Sequence, residues 1–312
     1  MTTYLVTGGG GFLGRYVIEE LRESGVEDIV IPRRSEHDLT RQQVAEELVE
    51  SVRPDVVVHL AAEVGGIGAN QENPGRYFYA NAIMGINLIE AARVSNVSKF
   101  VQVGTVCSYP KHTPVPFVEK DLWNGFPEET NAPYGIAKRS LLSMLTAYRA
   151  QYGFNGIYLL PANLYGPHDN FDPETSHVIP ALIRRFVEAR KQRSAAVTLW
   201  GTGSPSREFM HVRDAARGIV MAALAYDFPE PINLGTGVET TIKELAEQIA
   251  TLLDYEGDIR WDPTKPDGQP CRTLDVSRSK TALGFSATVT LENGLSETID
   301  WWVNQSEELG PG

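Results

Sequence analysis

At 312 residues, with 42% hydrophobic and 22% charged positions, the chain has an ordinary globular composition and the length for one large α/β domain or two smaller lobes. A net charge of −12 and a pI of about 5.0 argue against nonspecific nucleic-acid binding, which needs a basic face, but leave room for an anionic ligand held by local arginines and helix N-termini. Two cysteines, Cys107 and Cys271, make neither a disulfide framework nor a metal site; with no signal peptide and no apolar run near the ~20 residues of a membrane span, the expectation is a soluble cytoplasmic protein without membrane partners.

Short apolar runs alternate with amphipathic segments over the first half. They predict strand 4–6, helix 13–24, strand 28–31, helix 41–52, strand 56–60, helix 76–94, strand 100–103, helix 134–152 and strand 156–160. Such alternation implies an α/β fold, a Rossmann-type doubly wound parallel sheet covered on both faces. The pattern then loosens. A polar loop at 169–176 precedes a helix over 178–189, a strand at 197–200, a helix over 211–226 and a strand at 231–234. A helix over 241–253 follows, with Thr240 or Thr241 as its N-cap. The rest mixes loop and short strand before a last helix near 291–303 and a tail, 307–312, expected to be disordered. The expected division is a dinucleotide-binding domain over 1–165, with return segments near 207–235, and a smaller C-terminal α/β substrate lobe from 166–206 and 236–312.

The first strand runs into Thr7-Gly8-Gly9-Gly10-Gly11-Phe12-Leu13-Gly14, a G-x-x-G-x-x-G loop that opens the first helix. Gly8 permits the tight turn, Gly11 keeps side chains away from a pyrophosphate, and Gly14 lets the helix pack close to the sheet. A glycine-rich turn without a ligand is the alternative, and the position directly after the first strand decides against it. The second strand ends Ile31-Pro32-Arg33-Arg34, where an NAD site carries an acidic residue for the ribose. Arg33 and Arg34 suit a 2′-phosphate, so NADP(H) is favoured, with NAD possible. Asp38 and Leu39 are placed to border the adenine.

Tyr134-Gly135-Ile136-Ala137-Lys138 is a Y-x-x-x-K, with Pro133 placed to start its helix. Residues four apart share a helix face, so phenol and ammonium address one ligand, and a nearby cation is expected to lower the tyrosine pKa. Thr105, at the end of the preceding strand, offers a hydroxyl to the same ligand. In the later segments Arg185, Arg207 and Arg272 are candidate guanidinium forks for a diphosphate, and Trp200 a stacking surface for a base or sugar.

With these residues the chain resembles the extended short-chain dehydrogenase/reductase family over nearly its whole length. The resemblance rests on T-G-x-x-G-x-x-G at 7–14, H-L-A-A at 59–62, Tyr134 with Lys138, and N-L-Y-G-P at 163–167. It implies hydride transfer by Tyr134, Lys138 and Thr105, a structural Asn81, and a cofactor passing Ala61, Ala62 and Asn163. Further stretches are E-V-G-G-I-G-A-N at 63–70, N-L-Y-G-P-H-D-N-F at 163–171, S-H-V-I-P-A-L-I-R-R-F at 176–186, W-G-T-G-S-P-S-R-E-F at 200–209 and K-P-D-G at 265–268. These are similar to the GDP-L-fucose synthases, a branch that epimerises a GDP-linked 4-keto-6-deoxy sugar at C3 and C5 and reduces C4 with NADPH. That resemblance implies Cys107 as base, His177 as acid and cofactor neighbour, Thr105 and Tyr134 at the C4 carbonyl, and a homodimer. The chain departs from the branch at Thr105-Val106-Cys107, where Ser-Ser-Cys is usual, and at Gly10, where an arginine is usual. Two other readings stay open: a redox-neutral GDP-sugar epimerase with tightly bound NAD(P), and a non-catalytic dinucleotide sensor.

Overall fold

The computed structural model describes residues 2–265 and 269–308. Positions 266–268 of the K-P-D-G stretch and 309–312 of the expected disordered tail lie outside the described residues.

The first part alternates as the periodicity predicts: β1 (Tyr4–Thr7), α1 (Phe12–Glu23), β2 (Ile29–Val30), α2 (Gln42–Val52), β3 (Val56–His59), a short α3 (Ile67–Glu72), α4 (Pro74–Val94), β4 (Lys99–Val103), α5 (Ala132–Tyr152) and β5 (Gly156–Pro161). The chain continues through β6 (Asn163–Tyr165), α6 (Val178–Lys191), β7 (Ala196–Trp200), β8 (Ser206–Arg207), β9 (Phe209–His211), α7 (Val212–Ala225), β10 (Ile232–Leu234), β11 (Thr240–Thr241), α8 (Ile242–Leu252), β12 (Asp258–Asp262), α9 (Ser277–Leu283) and α10 (Leu291–Glu308). Six strands form one parallel sheet in the order β10-β5-β4-β3-β1-β2. The strands read as continuous apolar runs because helices cover both faces: Leu5, Val57, Val58, Phe100 and Val101 are fully buried. Each such side chain contributes roughly 1.5–3 kcal/mol of burial energy. Where a polar pair falls in this layer it is satisfied internally, Thr7 Oγ1 lying 2.7 Å from His59 Nδ1 between β1 and β3.

A second buried cluster joins α6, β7, α8 and α10, through Leu182, Ile183, Phe186, Leu199, Leu245, Ile249, Leu295 and Ile299. Leu274 and Phe285 return to the first core. Helix α8 is started by a capping box. Thr241, not Thr240, is its N-cap: the Glu244 amide donates to Thr241 Oγ1 at 3.1 Å and the Thr241 amide donates to Glu244 Oε2 at 2.8 Å, an arrangement worth about 1 kcal/mol.

Several elements differ from expectation. Helix α3 lies between the predicted strand 56–60 and helix 76–94, where the periodicity predicts no element; Pro74 ends it and starts α4. Strands β6, β8, β9, β11 and β12 were not legible, since they form two-stranded pairs: β6 with β9, β8 with β11, and β7 with β12. Their partners lie far along the chain, so tertiary placement rather than local pattern makes them strands. The last helix runs past 303 to Glu308. Among the described residues no helix is long and apolar enough to cross a membrane.

Candidate active site

The chain leaves β1 for β2 on one side, then crosses to β3 on the other, so the sheet has a switch point at the carboxyl ends of β1 and β3. Open α/β sheets bind ligands at that point. A cavity of about 1440 Å³ opens there and extends to β7, β8 and α6. Every site residue named from the sequence lines it: Gly8, Gly11, Phe12, Leu13, Arg33, Arg34, Asp38, Leu39, Ala61, Ala62, Thr105, Cys107, Tyr134, Lys138, Asn163, His177, Arg185, Trp200, Arg207 and Arg272.

The glycine loop forms one end. Gly8 has φ +75°, a conformation that a side chain would strain, and a methyl group on Gly14 would collide with the Gly8 carbonyl oxygen. Gly11 is the N-cap of α1 and brings no capping side chain, so the first N–H groups of the helix are left for a ligand. Beyond the β2 end, Asp38 Oδ1 accepts from the Thr40 amide and hydroxyl, and those bonds hold its carboxyl below the usual range. The Arg33 guanidinium makes no ion pair among the described residues. Arg34 does: its Nη2 meets Glu63 Oε1 at 2.5 Å.

The opposite end carries the candidate acid–base groups. Thr105, two residues past β4, caps the 3-10 turn Val106–Ser108, accepting from the Cys107 amide at 3.2 Å. Helix α5 presses against this turn: a methyl group on Gly135 would collide with the Cys107 carbonyl oxygen. That contact brings Tyr134 beside Thr105, whose hydroxyl acts to lower the phenol pKa. His177, the residue before α6, lies open to the cleft, and its crowded surroundings hold the imidazole below the ordinary histidine range.

Here the expected electrostatics need correction. Lys138 was expected to lower the Tyr134 pKa. Instead burial, reinforced by Cys107 and Tyr158, pushes the phenol up, and Thr105 alone opposes it. The Lys138 Nζ donates to the Val103 carbonyl at 3.2 Å and is itself brought down to about 8 by burial. His59, at about 3 through burial and the Lys138 charge, stays neutral beside it.

The part of the cavity lined by Arg185, Arg207 and Arg272 is cationic. Arg272 is buried, with Nε donating to Gln269 Oε1 at 2.7 Å and Nη1 donating to Cys107 Sγ at 3.3 Å. Arg272 was expected at a diphosphate, so its contact with the thiol adds a role that sequence reasoning missed. Arg207 donates to the Ser206 and Gln269 carbonyls and is lowered to about 10 by burial and by Arg272. Two guanidiniums repelling each other in a cavity wall make a site for an anion. Trp200 is 60% exposed, with Arg185 and Lys265 against its ring at 6.0 and 5.5 Å. Asp169, raised to about 7 by burial, and Gln269 also line the cavity; no spacing rule marks either. Glu63 sits in a stretch the resemblance used, without an assigned role.

The profile of the NAD dependent epimerase/dehydratase family matches residues 4–235. The chain is 42% identical over 299 residues to the probable GDP-L-fucose synthase 1 of Oryza sativa subsp. japonica, covering 96% of this chain and 91% of the relative. It is 40% identical over 313 residues to the GDP-L-fucose synthase of Escherichia coli (strain K12), covering 97% of each. The crystal structure of a GDP-L-fucose synthetase from Naegleria fowleri bound to NADP superposes with a TM-score of 0.89 at 28% identity, covering 98% of this chain and 95% of that one. A parallel sheet with its glycine loop at the switch point, Tyr134 and Lys138 on one helix, and near-full-length relatives agree: the chain belongs to the NAD dependent epimerase/dehydratase family.

Proposed function

We propose that this chain is an NADP-dependent nucleotide-sugar epimerase/reductase of the GDP-L-fucose synthase type. It inverts C3 and C5 of GDP-4-keto-6-deoxy-D-mannose and then reduces C4. The observation that carries this reading is the meeting of two acid–base sets in one cavity. Tyr134, Lys138 and Thr105 suit a carbonyl reduction, while Cys107 and His177 suit proton removal and delivery at neighbouring carbons. A plain reductase has no use for the second set.

The glycine cradle and the free first turn of α1 fit a pyrophosphate, and Arg33 fits a 2′-phosphate. When bound, the reduced nicotinamide supplies the hydride for C4. The chain supplies the rest. Thr105 and Tyr134 hydrogen-bond the C4 oxygen, which makes the C3 and C5 protons acidic by delocalising the enolate. Cys107 removes a proton from one face, with the Arg272 guanidinium stabilising the negative charge that the sulfur carries as a base. His177 delivers a proton from the other face. The phenol, which burial keeps protonated, donates its proton to the C4 oxygen as hydride arrives. Arg207 and Arg185 hold the diphosphate and Trp200 stacks on the base. In this reading 1–165 with 207–235 carries the dinucleotide, and 166–206 with 236–312 the sugar nucleotide. The test is a pair of incubations in deuterated water, one with GDP-4-keto-6-deoxy-mannose and one with GDP-mannose, each with NADPH. Deuterium at C3 and C5 with NADPH consumption supports the reading; conversion of GDP-mannose without net NADPH loss makes it a redox-neutral epimerase and overturns it.

Lys138 gives a pH dependence with a defined sign. Its ammonium is the donor to a cofactor ribose, and with a value of about 8 that charge is lost as pH rises through this point. NADPH affinity is expected to weaken between about pH 7 and about pH 9, a trend absent from Lys138→Met. Fluorescence titration measures it, and an equal slope in both proteins sinks the assignment.

A homodimer through α4 and α5 is part of the same reading. Of the apolar residues on these two helices, Tyr77, Leu88, Leu141 and Leu145 are buried in the monomer and Ile83 and Met144 half-buried, whereas Ile86, Phe78 and Tyr79 are exposed. Sedimentation is expected to give two chains, and Tyr79→Glu to shift them toward monomer; a monomeric parent protein removes the proposal. Free Cys107 and Cys271 support a reducing, cytoplasmic location, which cell fractionation tests.

A further inference from the structure

At the end of β2 the cavity wall holds Arg33, Arg34, His37 and Asp38, and facing them, from the loop after β3, Glu63. The Glu63 carboxylate binds two arginines at once. Arg34 Nη2 donates to Oε1 at 2.5 Å, and Arg76 Nε donates to Oε2 at 2.7 Å. The three side chains are unequally placed: Glu63 is 11% exposed, Arg34 76% and Arg76 64%. Glu63 is also pinned by its backbone. Its amide donates to Asn81 Oδ1 at 3.1 Å, and Asn81 Nδ2 donates to its carbonyl at 2.8 Å. Asn81 is itself buried and donates to the Tyr77 carbonyl at 2.7 Å. The carboxylate is therefore the fixed member of the pair and Arg34 the movable one. Burial would raise the Glu63 carboxyl, but the bonds from Arg76 and Arg34 outweigh it and hold the group below the usual range, so it is charged at neutral pH.

We infer that Glu63 determines how strongly this chain discriminates between phosphorylated and unphosphorylated dinucleotides. The inference rests on the dinucleotide reading of the cavity. A 2′-phosphate that engages Arg34 must draw it off a carboxylate that stays behind as a like charge. A free 2′-hydroxyl meets no such repulsion. Arg76 lowers the cost of the exchange, because it remains on Glu63 when Arg34 leaves. Two arginines at the end of β2 thus read as a strong NADP signal, yet Glu63 engages one of them and narrows the preference that they would set alone.

The experiment is a fluorescence titration of NADPH and of NADH with the full-length protein, Glu63→Gln, Arg34→Ala and the double variant. Glutamine keeps an acceptor for Arg76 and removes the charge. Glu63→Gln is expected to tighten NADPH by about fivefold, the scale of one partly exposed ion pair, and to change NADH by less than about twofold. Arg34→Ala alters a highly exposed side chain and leaves the fold intact. It is expected to cancel most of the gain when combined with Glu63→Gln, and to weaken NADPH only slightly in the parent protein. An unchanged NADPH-to-NADH ratio in Glu63→Gln, or equal tightening of both, overturns the inference while the dinucleotide reading stands. Failure of the parent protein to bind either cofactor overturns both.

Discussion

Replacing Cys107 with serine is expected to slow deuterium incorporation at C3 and C5 by about a hundredfold or more, the scale of one general acid–base group. Cys107 sits in a turn locked on both sides: Thr105, just past β4, caps it, and α5 presses on its carbonyl at Gly135. Its sulfur accepts from Arg272 at 3.3 Å. Serine preserves size and the hydrogen bond but is a much weaker base, because a hydroxyl gives up its proton far less readily than a thiol. NADPH affinity in Cys107→Ser is expected to stay within about twofold, since the glycine loop and the arginines at the end of β2 are remote in the chain and untouched. The measurement is exchange followed by mass spectrometry or NMR, beside a cofactor titration. Parallel loss of exchange and of cofactor binding would sink the proton-carrier role and leave Cys107 as packing.

Tyr134→Phe is expected to cost about a thousandfold in NADPH oxidation, within the range for loss of a positioned proton donor. The argument rests on burial. The phenol is pushed up by burial and so stays protonated near neutral pH, the form that can donate to the C4 oxygen. Exchange at C3 and C5 is expected to survive at a reduced rate, because in the proposed mechanism Thr105 still hydrogen-bonds the carbonyl that acidifies those positions. Single-turnover reduction and deuterium exchange, measured on the same preparation, separate the two steps. If both fall by the same factor, the hydroxyl serves carbonyl polarisation alone and the assigned proton donation is wrong.

Much of this was legible from the chain in order. Alternating apolar runs and amphipathic segments announce a parallel sheet, because the covering of both faces by helices imposes two periods on the residues themselves. The glycine loop and Tyr134 with Lys138 were readable for the same reason: loop position and four-residue helical spacing are local constraints. The resemblance supplied Cys107 and His177, which no spacing joins. Tertiary structure decided the rest. It set the six short strands outside the main sheet in three pairs, whose partners come from distant segments. It placed Arg272 against the Cys107 sulfur across 165 residues. It reversed the expected influence on Tyr134, because α5 carries Lys138 down onto the Val103 carbonyl while burial governs the phenol. And it paired Arg34 with Glu63 across 29 residues, an ion pair that the local Arg33-Arg34 pattern did not announce. Periodicity is written residue by residue and survives in the sequence. Charge pairing and desolvation depend on which distant groups folding brings within a few ångströms, and so appear only in the folded chain.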